Sequence, residues 1–118
     1  PALTPRTEAH IKVAADFPGY LALIQKYPET ARPMDELADL LLNRETSTFT
    51  KADREVVASF VSYLNECLFC SELHSASADY RWQKPGVAKE VWQNMNRAKI
   101  SDRLRALLLI AAKVQKSG

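Results

Sequence analysis

Asn65-Glu66-Cys67-Leu68-Phe69-Cys70-Ser71-Glu72-Leu73-His74 is the stretch whose reading decides the fold. It holds both cysteines and one of the two histidines. If the cysteines open a helix, 3.6 residues per turn fixes their directions. His74 then lies four residues past Cys70 and seven past Cys67. Those steps place the three side chains within an arc of roughly 60° on one helix face. A dithiol with an imidazole above it on one face can do chemistry.

Outward from that stretch the pattern is helical. Thr50 is suited to an N-cap, with Asp53 three residues on as in a capping box, and the helix runs to about Leu64. Val57, Phe60, Val61 and Leu64 form one face, and Glu55, Ala58, Ser59 and Ser62 the other. The small face reads either as solvent surface or as a place for a second helix to approach closely, with Glu55 as the single ionisable group at the contact. Asn65 is expected to cap the next helix, about Cys67 to Arg81, which carries Leu68, Leu73, Ala76 and Tyr80 besides the cysteines. Gln83-Lys84-Pro85-Gly86 reads as a turn. Val87 to Met95 is helical, with Val91 and Trp92 inside. Ser101 caps a last helix whose Leu104, Leu107, Leu108 and Ala111 point inward.

Upstream, residues 1–10 look like an arm or a loose lead-in. A helical pattern from His10 to about Lys26 is interrupted at Phe17-Pro18-Gly19. Tyr20, Leu21, Leu23, Ile24 and Tyr27 make an apolar stripe, and Tyr27-Pro28-Glu29-Thr30 ends that element. Pro33 to Leu42 reads as a helix, with Pro33 in its first turn and Met34, Leu37, Leu40 and Leu41 as the buried face. Residues 43–48 read as a loop. Sustained two-residue alternation is missing, so the fold class is all-α, as one domain over residues 1–118.

Composition narrows the function. The 47% apolar and 25% charged residues are an ordinary globular balance for a chain of 118. A net charge of +2, from 16 basic and 14 acidic residues interspersed, is no nucleic-acid footprint. The most apolar run, Ala106 to Ala112, is too short to span a bilayer. The chain opens on Pro1 rather than Met, which fits a trimmed start. Two cysteines in a C-x-x-C do not make a secreted disulfide framework, so the expected location is cytoplasmic, with a thiol pair that cycles. The last helix is very apolar for a chain end. It asks to be covered by another subunit or by chain beyond Gly118.

The dithiol supports three readings. A thiolate attacks and a thiol does not, and an ordinary cysteine is mostly protonated at neutral pH. A helix N-terminus favours a thiolate at Cys67, whereas the four-residue step to His74 favours one at Cys70. Glu55 is placed to orient the imidazole, giving a relay of carboxylate, imidazole and thiol. The second reading makes the cysteines small buried hydrophobes. The third is a structural zinc, which needs four ligands where this chain offers two cysteines and one nearby histidine. Neither a metal nor an organic cofactor is expected.

Thr50-Lys51-Ala52-Asp53-Arg54-Glu55, then Val61-Ser62-Tyr63-Leu64-Asn65-Glu66-Cys67-Leu68-Phe69-Cys70 and His74, resembles the alkyl hydroperoxidase D family. That family lies within the carboxymuconolactone decarboxylase-like superfamily. Its pattern has a glutamate twelve residues before a C-x-x-C and a histidine four after it, which Glu55, Cys67, Cys70 and His74 match. Tyr27-Pro28-Glu29-Thr30-Ala31-Arg32-Pro33 and Glu36-Leu37-Ala38 resemble the peroxidase-related branch. The resemblance implies an all-α array assembling as a homotrimer or homohexamer. It implies a peroxiredoxin-type oxidoreductase in antioxidant defence, acting on a hydroperoxide or disulfide. Cys70 would attack, Cys67 would resolve, and Glu55 and His74 would move the proton. A dithiol donor, lipoyl-bearing or thioredoxin-like, would reduce the resulting disulfide. Where the best-studied members carry a further histidine between the cysteines, this chain has Phe69. The rival functions are a lactone-acid lyase of the decarboxylase branch and a non-enzymatic redox sensor.

Overall fold

Thr50 starts the helix on which the others pack. Its side chain accepts from Asp53 N at 3.0 Å, and Asp53 Oδ2 accepts from Thr50 N at 3.0 Å. This is the expected capping box, satisfying two backbone donors at once. The computed structural model describes residues 10–14, 16–45 and 48–118. Among them lie six α-helices and no strand: α1 Tyr20–Lys26, α2 Pro28–Leu42, α3 Lys51–Leu64, α4 Leu68–Trp82, α5 Val87–Asn94 and α6 Asp102–Ser117. Most of the lead-in, residues 1–9, lies outside the described residues, as do Ala15, Thr46 and Ser47.

The chain divides within α2 into two compact units, Pro1–Leu37 and Ala38–Gly118. In the first, the described residues between His10 and Pro18 are not helical, and only Tyr20–Lys26 fulfils the expected helix. Lys26 Nζ donates to the Lys12 carbonyl. Tyr27 both ends α1 and begins α2. Its N–H reaches Leu23 O at 3.0 Å, and its carbonyl accepts from Ala31 N at 2.9 Å. Pro28, not Pro33, therefore takes the first helical position, where a missing N–H costs nothing. Pro33 lies inside α2.

In the second unit α3 is the hub. It packs most extensively on α4, and also on α5 and α6. Val56, Phe60, Ala78, Ala88, Val91, Ala98, Leu104 and Leu108 form the buried cluster, with Trp92 and Leu64 against it. The inward positions expected for α5 and α6 are found: Val91, Leu104 and Leu108 are buried, and Trp92, Leu107 and Ala111 are half-buried. One expectation fails: Met34, Leu37, Leu40 and Leu41 of α2, read as its buried face, are exposed. Leu68, Leu73 and Tyr80 of α4 are exposed as well. On α4 the buried stripe is Ser71, Ser75 and Ala78, at steps of four and three. Small side chains there let the backbone of α4 approach α3, which leucines would hold away.

The corner between α3 and α4 corrects another expectation. Asn65 is the C-cap of α3, not the N-cap of α4. Glu66 adopts a left-handed φ of 57°. Glu66 N donates to Tyr63 O at 3.0 Å and Cys67 N to Ser62 O at 3.0 Å. That pair of bonds is a Schellman motif with Glu66 where glycine is usual. Gln115 Nε2 of α6 donates to Asn65 Oδ1 at 2.9 Å and ties the corner down. The far end of α4 closes the same way, around Gln83 at φ 54°. There the Asp79 carboxylate accepts from Gly86 N at 2.6 Å and Ala88 N at 3.4 Å, capping α5 from outside.

Candidate active site

Cys67 is the N-cap of α4, and its Sγ accepts from Cys70 N at 3.4 Å. The sulfur occupies the place that a serine or aspartate oxygen takes at most helix starts. Cys67 and Cys70 are joined as a disulfide, with their Cα atoms 5.4 Å apart. The tight corner sets this up: the backbone of Cys67 closes α3 while its side chain opens α4.

One turn further along α4, His74 Nδ1 donates to Glu55 Oε2 at 2.7 Å. Glu55 comes from α3 and its side chain is 5% exposed, against 24% for His74. The small face of α3 is therefore a contact and not solvent surface. With Nδ1 committed to the carboxylate, it is Nε2 that carries the lone pair of the neutral imidazole and is then able to accept a proton. Beside this pair, Ser59 of α3 is fully buried. Its Oγ donates to Ser71 O at 3.0 Å and accepts from Trp92 Nε1 at 2.9 Å. This bond ties α3, α4 and α5 together one turn from Glu55, and the Trp92 ring stacks on Tyr63 with centroids 5.2 Å apart.

The structure thus brings together two pairs, Cys67 with Cys70 and Glu55 with His74. Among the described residues no hydrogen bond joins His74 to either sulfur of the disulfide, although Cys70 lies four residues before it on the same face. No group of three or more His, Cys, Asp and Glu side chains among the described residues could hold a metal ion.

One charged residue at the site escaped the sequence reading. Arg81 Nη2 lies 3.6 Å from Glu55 Oε1 and donates to Asn43 Oδ1 at 2.7 Å. The signal was available. Arg81 is seven residues after His74, two helical turns, so it falls on the stripe of Cys67, Cys70 and His74. Arg81 also borders a cleft lined with Thr48, Phe49, Lys51, Ala52 and Trp82, whose lining includes neither cysteine.

These elements define an all-α protein with a C-x-x-C pair at a helix start and a carboxylate–imidazole couple one turn above it. Comparison with known proteins agrees. A crystal structure of an alkylhydroperoxidase AhpD core, a peroxidase-related protein from Ralstonia eutropha, superposes with a TM-score of 0.76 at 32% identity. The match covers 87% of this chain and 54% of that one, so the chain spans about half the length of its solved relative. This likeness in fold and sequence supports the AhpD-like superfamily for the chain. No family model matches the chain, and no curated protein does.

Proposed function

We propose that the protein is a thiol-dependent hydroperoxidase or disulfide reductase, with Cys70 as the attacking sulfur. The observation that carries this reading is the 2.7 Å bond from His74 Nδ1 to the buried Glu55, one turn above the dithiol. His74 Nε2 accepts the Cys70 proton, and Glu55 stabilises the imidazolium that forms. The Cys70 thiolate attacks the distal oxygen of a hydroperoxide, the O–O bond breaks, and the alcohol leaves with the proton returned by His74. The Cys70 sulfenic acid then condenses with the Cys67 thiol, releasing water and forming the disulfide. An external dithiol reduces that bond by exchange and leaves as its own disulfide. The setting is a thiol-reducing compartment such as the cytoplasm. The working form is a homotrimer or homohexamer, for which the exposed Leu109, Ile110 and Val114 of α6 supply apolar surface.

A second reading, attack by Cys67, has its own support: the Cys67 sulfur sits at the N-terminus of α4, where negative charge is favoured. Trapping of sulfenic acid in reduced protein given one equivalent of hydroperoxide decides between them. Cys67→Ser is expected to form one equivalent at Cys70, and Cys70→Ser none. Sulfenic acid formation by Cys70→Ser at the wild-type rate overturns the assignment to Cys70. Stoichiometric oxidation without turnover in the presence of dithiol favours a redox sensor. Decarboxylation of a lactone acid that survives loss of both cysteines favours the lyase.

A further inference from the structure

Glu55 is a buried carboxylate with two charged neighbours, and the relay described above uses only one of them. His74 Nδ1 meets Oε2 at 2.7 Å, and Arg81 Nη2 meets Oε1 at 3.6 Å. Both neighbours come from α4, seven residues apart on one stripe. The guanidinium is held from behind by Asn43 Oδ1 at 2.7 Å. Its side chain is 30% exposed, so it reaches from solvent to a carboxylate that is 5% exposed.

Other charged groups on the packed elements have partners of their own. On α3, Asp53 caps its own helix and Arg54 donates to Leu41 O and Arg44 O at 2.8 and 2.7 Å. Lys51 pairs with Glu45 at 2.6 Å. On α4, Glu72 pairs with Lys89 of α5 at 2.7 Å, and Asp79 caps α5. On α6, Arg105 donates to Met95 O and Ala98 O.

A buried carboxylate needs a compensating charge. His74 can supply that charge only when it is protonated. A protonated imidazole has no lone pair with which to accept a proton. A guanidinium stays charged at every relevant pH and supplies the balance permanently. We propose that Arg81 is a positioning residue of this site: it balances the charge of Glu55 through Oε1, so that His74 need not be protonated for the buried carboxylate to be compensated. The inference deepens the function proposed above and rests on it for the use made of the neutral imidazole.

The test reads the two separately, on the full chain. In the disulfide form, NMR follows the His74 ring as pH is varied. Arg81→Met removes a cation beside the pair, which favours the protonated imidazole. The His74 midpoint is expected to rise by about one pH unit, with Arg81→Lys restoring most of the wild-type value. Arg81→Gln, neutral but still able to donate to Asn43, is expected to match Arg81→Met, which excludes loss of the Asn43 bond as the cause. An unmoved midpoint in folded Arg81→Met and Arg81→Gln overturns the proposal, as does an Arg81→Lys midpoint equal to that of Arg81→Met. In the reduced form, Cys70 alkylation by iodoacetamide at pH 7 is expected to quicken by up to about tenfold in Arg81→Met, because a more basic imidazole takes the Cys70 proton more fully. A shifted midpoint with unchanged alkylation supports the charge balance and overturns the relay from Cys70 to His74.

Discussion

Helices α2 and α3 have nearly the same length, 15 and 14 residues, and both alternate apolar and polar positions at helical spacing. Their fates differ. The stripe Met34, Leu37, Leu40 and Leu41 of α2 is 43 to 57% exposed. The buried positions of α3 are Ala52, Glu55, Val56, Ser59 and Phe60, of which Ser59 is polar and Glu55 charged. Hydrophobicity alone therefore did not choose which helix is enclosed. The small residues did, because Ser59 of α3 and Ser71, Ser75 and Ala78 of α4 let the two backbones come close. Close approach in turn gives each buried polar atom a partner within reach, so none among the described residues is left unsatisfied.

The contrast can be broken at the polar residues of α3 and tested at the apolar ones of α2. The largest effect is expected at Glu55. Glu55→Gln keeps the shape and removes the charge that orients and stabilises His74, and hydroperoxide consumption by the reduced protein should fall about 100-fold. A loss under threefold would show that the carboxylate only packs. Next comes Ser59→Ala, which leaves the Trp92 indole N–H without its acceptor and should cost about 1–3 kcal/mol in urea unfolding. At the end of α4, Asp79→Ala removes the carboxylate that caps α5, and a loss of about 1 kcal/mol is expected by the same measurement. The smallest effect is expected at Leu41→Ser, within about 0.5 kcal/mol for the isolated chain. A larger loss that grows with protein concentration would show that a second subunit covers this stripe.

The legible parts of the sequence were those set by local rules. The capping box at Thr50 and Asp53, the cap at Ser101 and the inward faces of α5 and α6 follow from hydrogen bonding and period. Glu55 and His74 were legible as partners because a small face on one helix and a dithiol helix after it imply a close crossing. The junctions were harder. At Tyr27-Pro28 and again at Asn65-Glu66-Cys67 one residue serves two helices, and composition cannot tell an end from a start. Asn65 has the chemistry of an N-cap, yet a sulfur holds that position. The leucines of α2 misled because periodicity reports which face could be buried, not whether anything arrives to bury it. Arg81 was missed because an arginine near a helix C-terminus is expected on electrostatic grounds alone.

The corner at Asn65, Glu66 and Cys67 has a consequence for how this chain tolerates change. It contains no spare residue: each backbone N–H in it closes α3, and its last side chain opens α4. A substitution there alters a bond, and its cost is graded. An insertion or deletion is different in kind. One residue added between Glu55 and Cys70 turns the whole face of α4 by about 100°. His74 and Arg81 would leave the carboxylate together, while both thiols remained intact. The twelve-residue interval from Glu55 to Cys67 therefore acts as a ruler, and it is the length of the segment, more than any single letter in it, that keeps the site aligned.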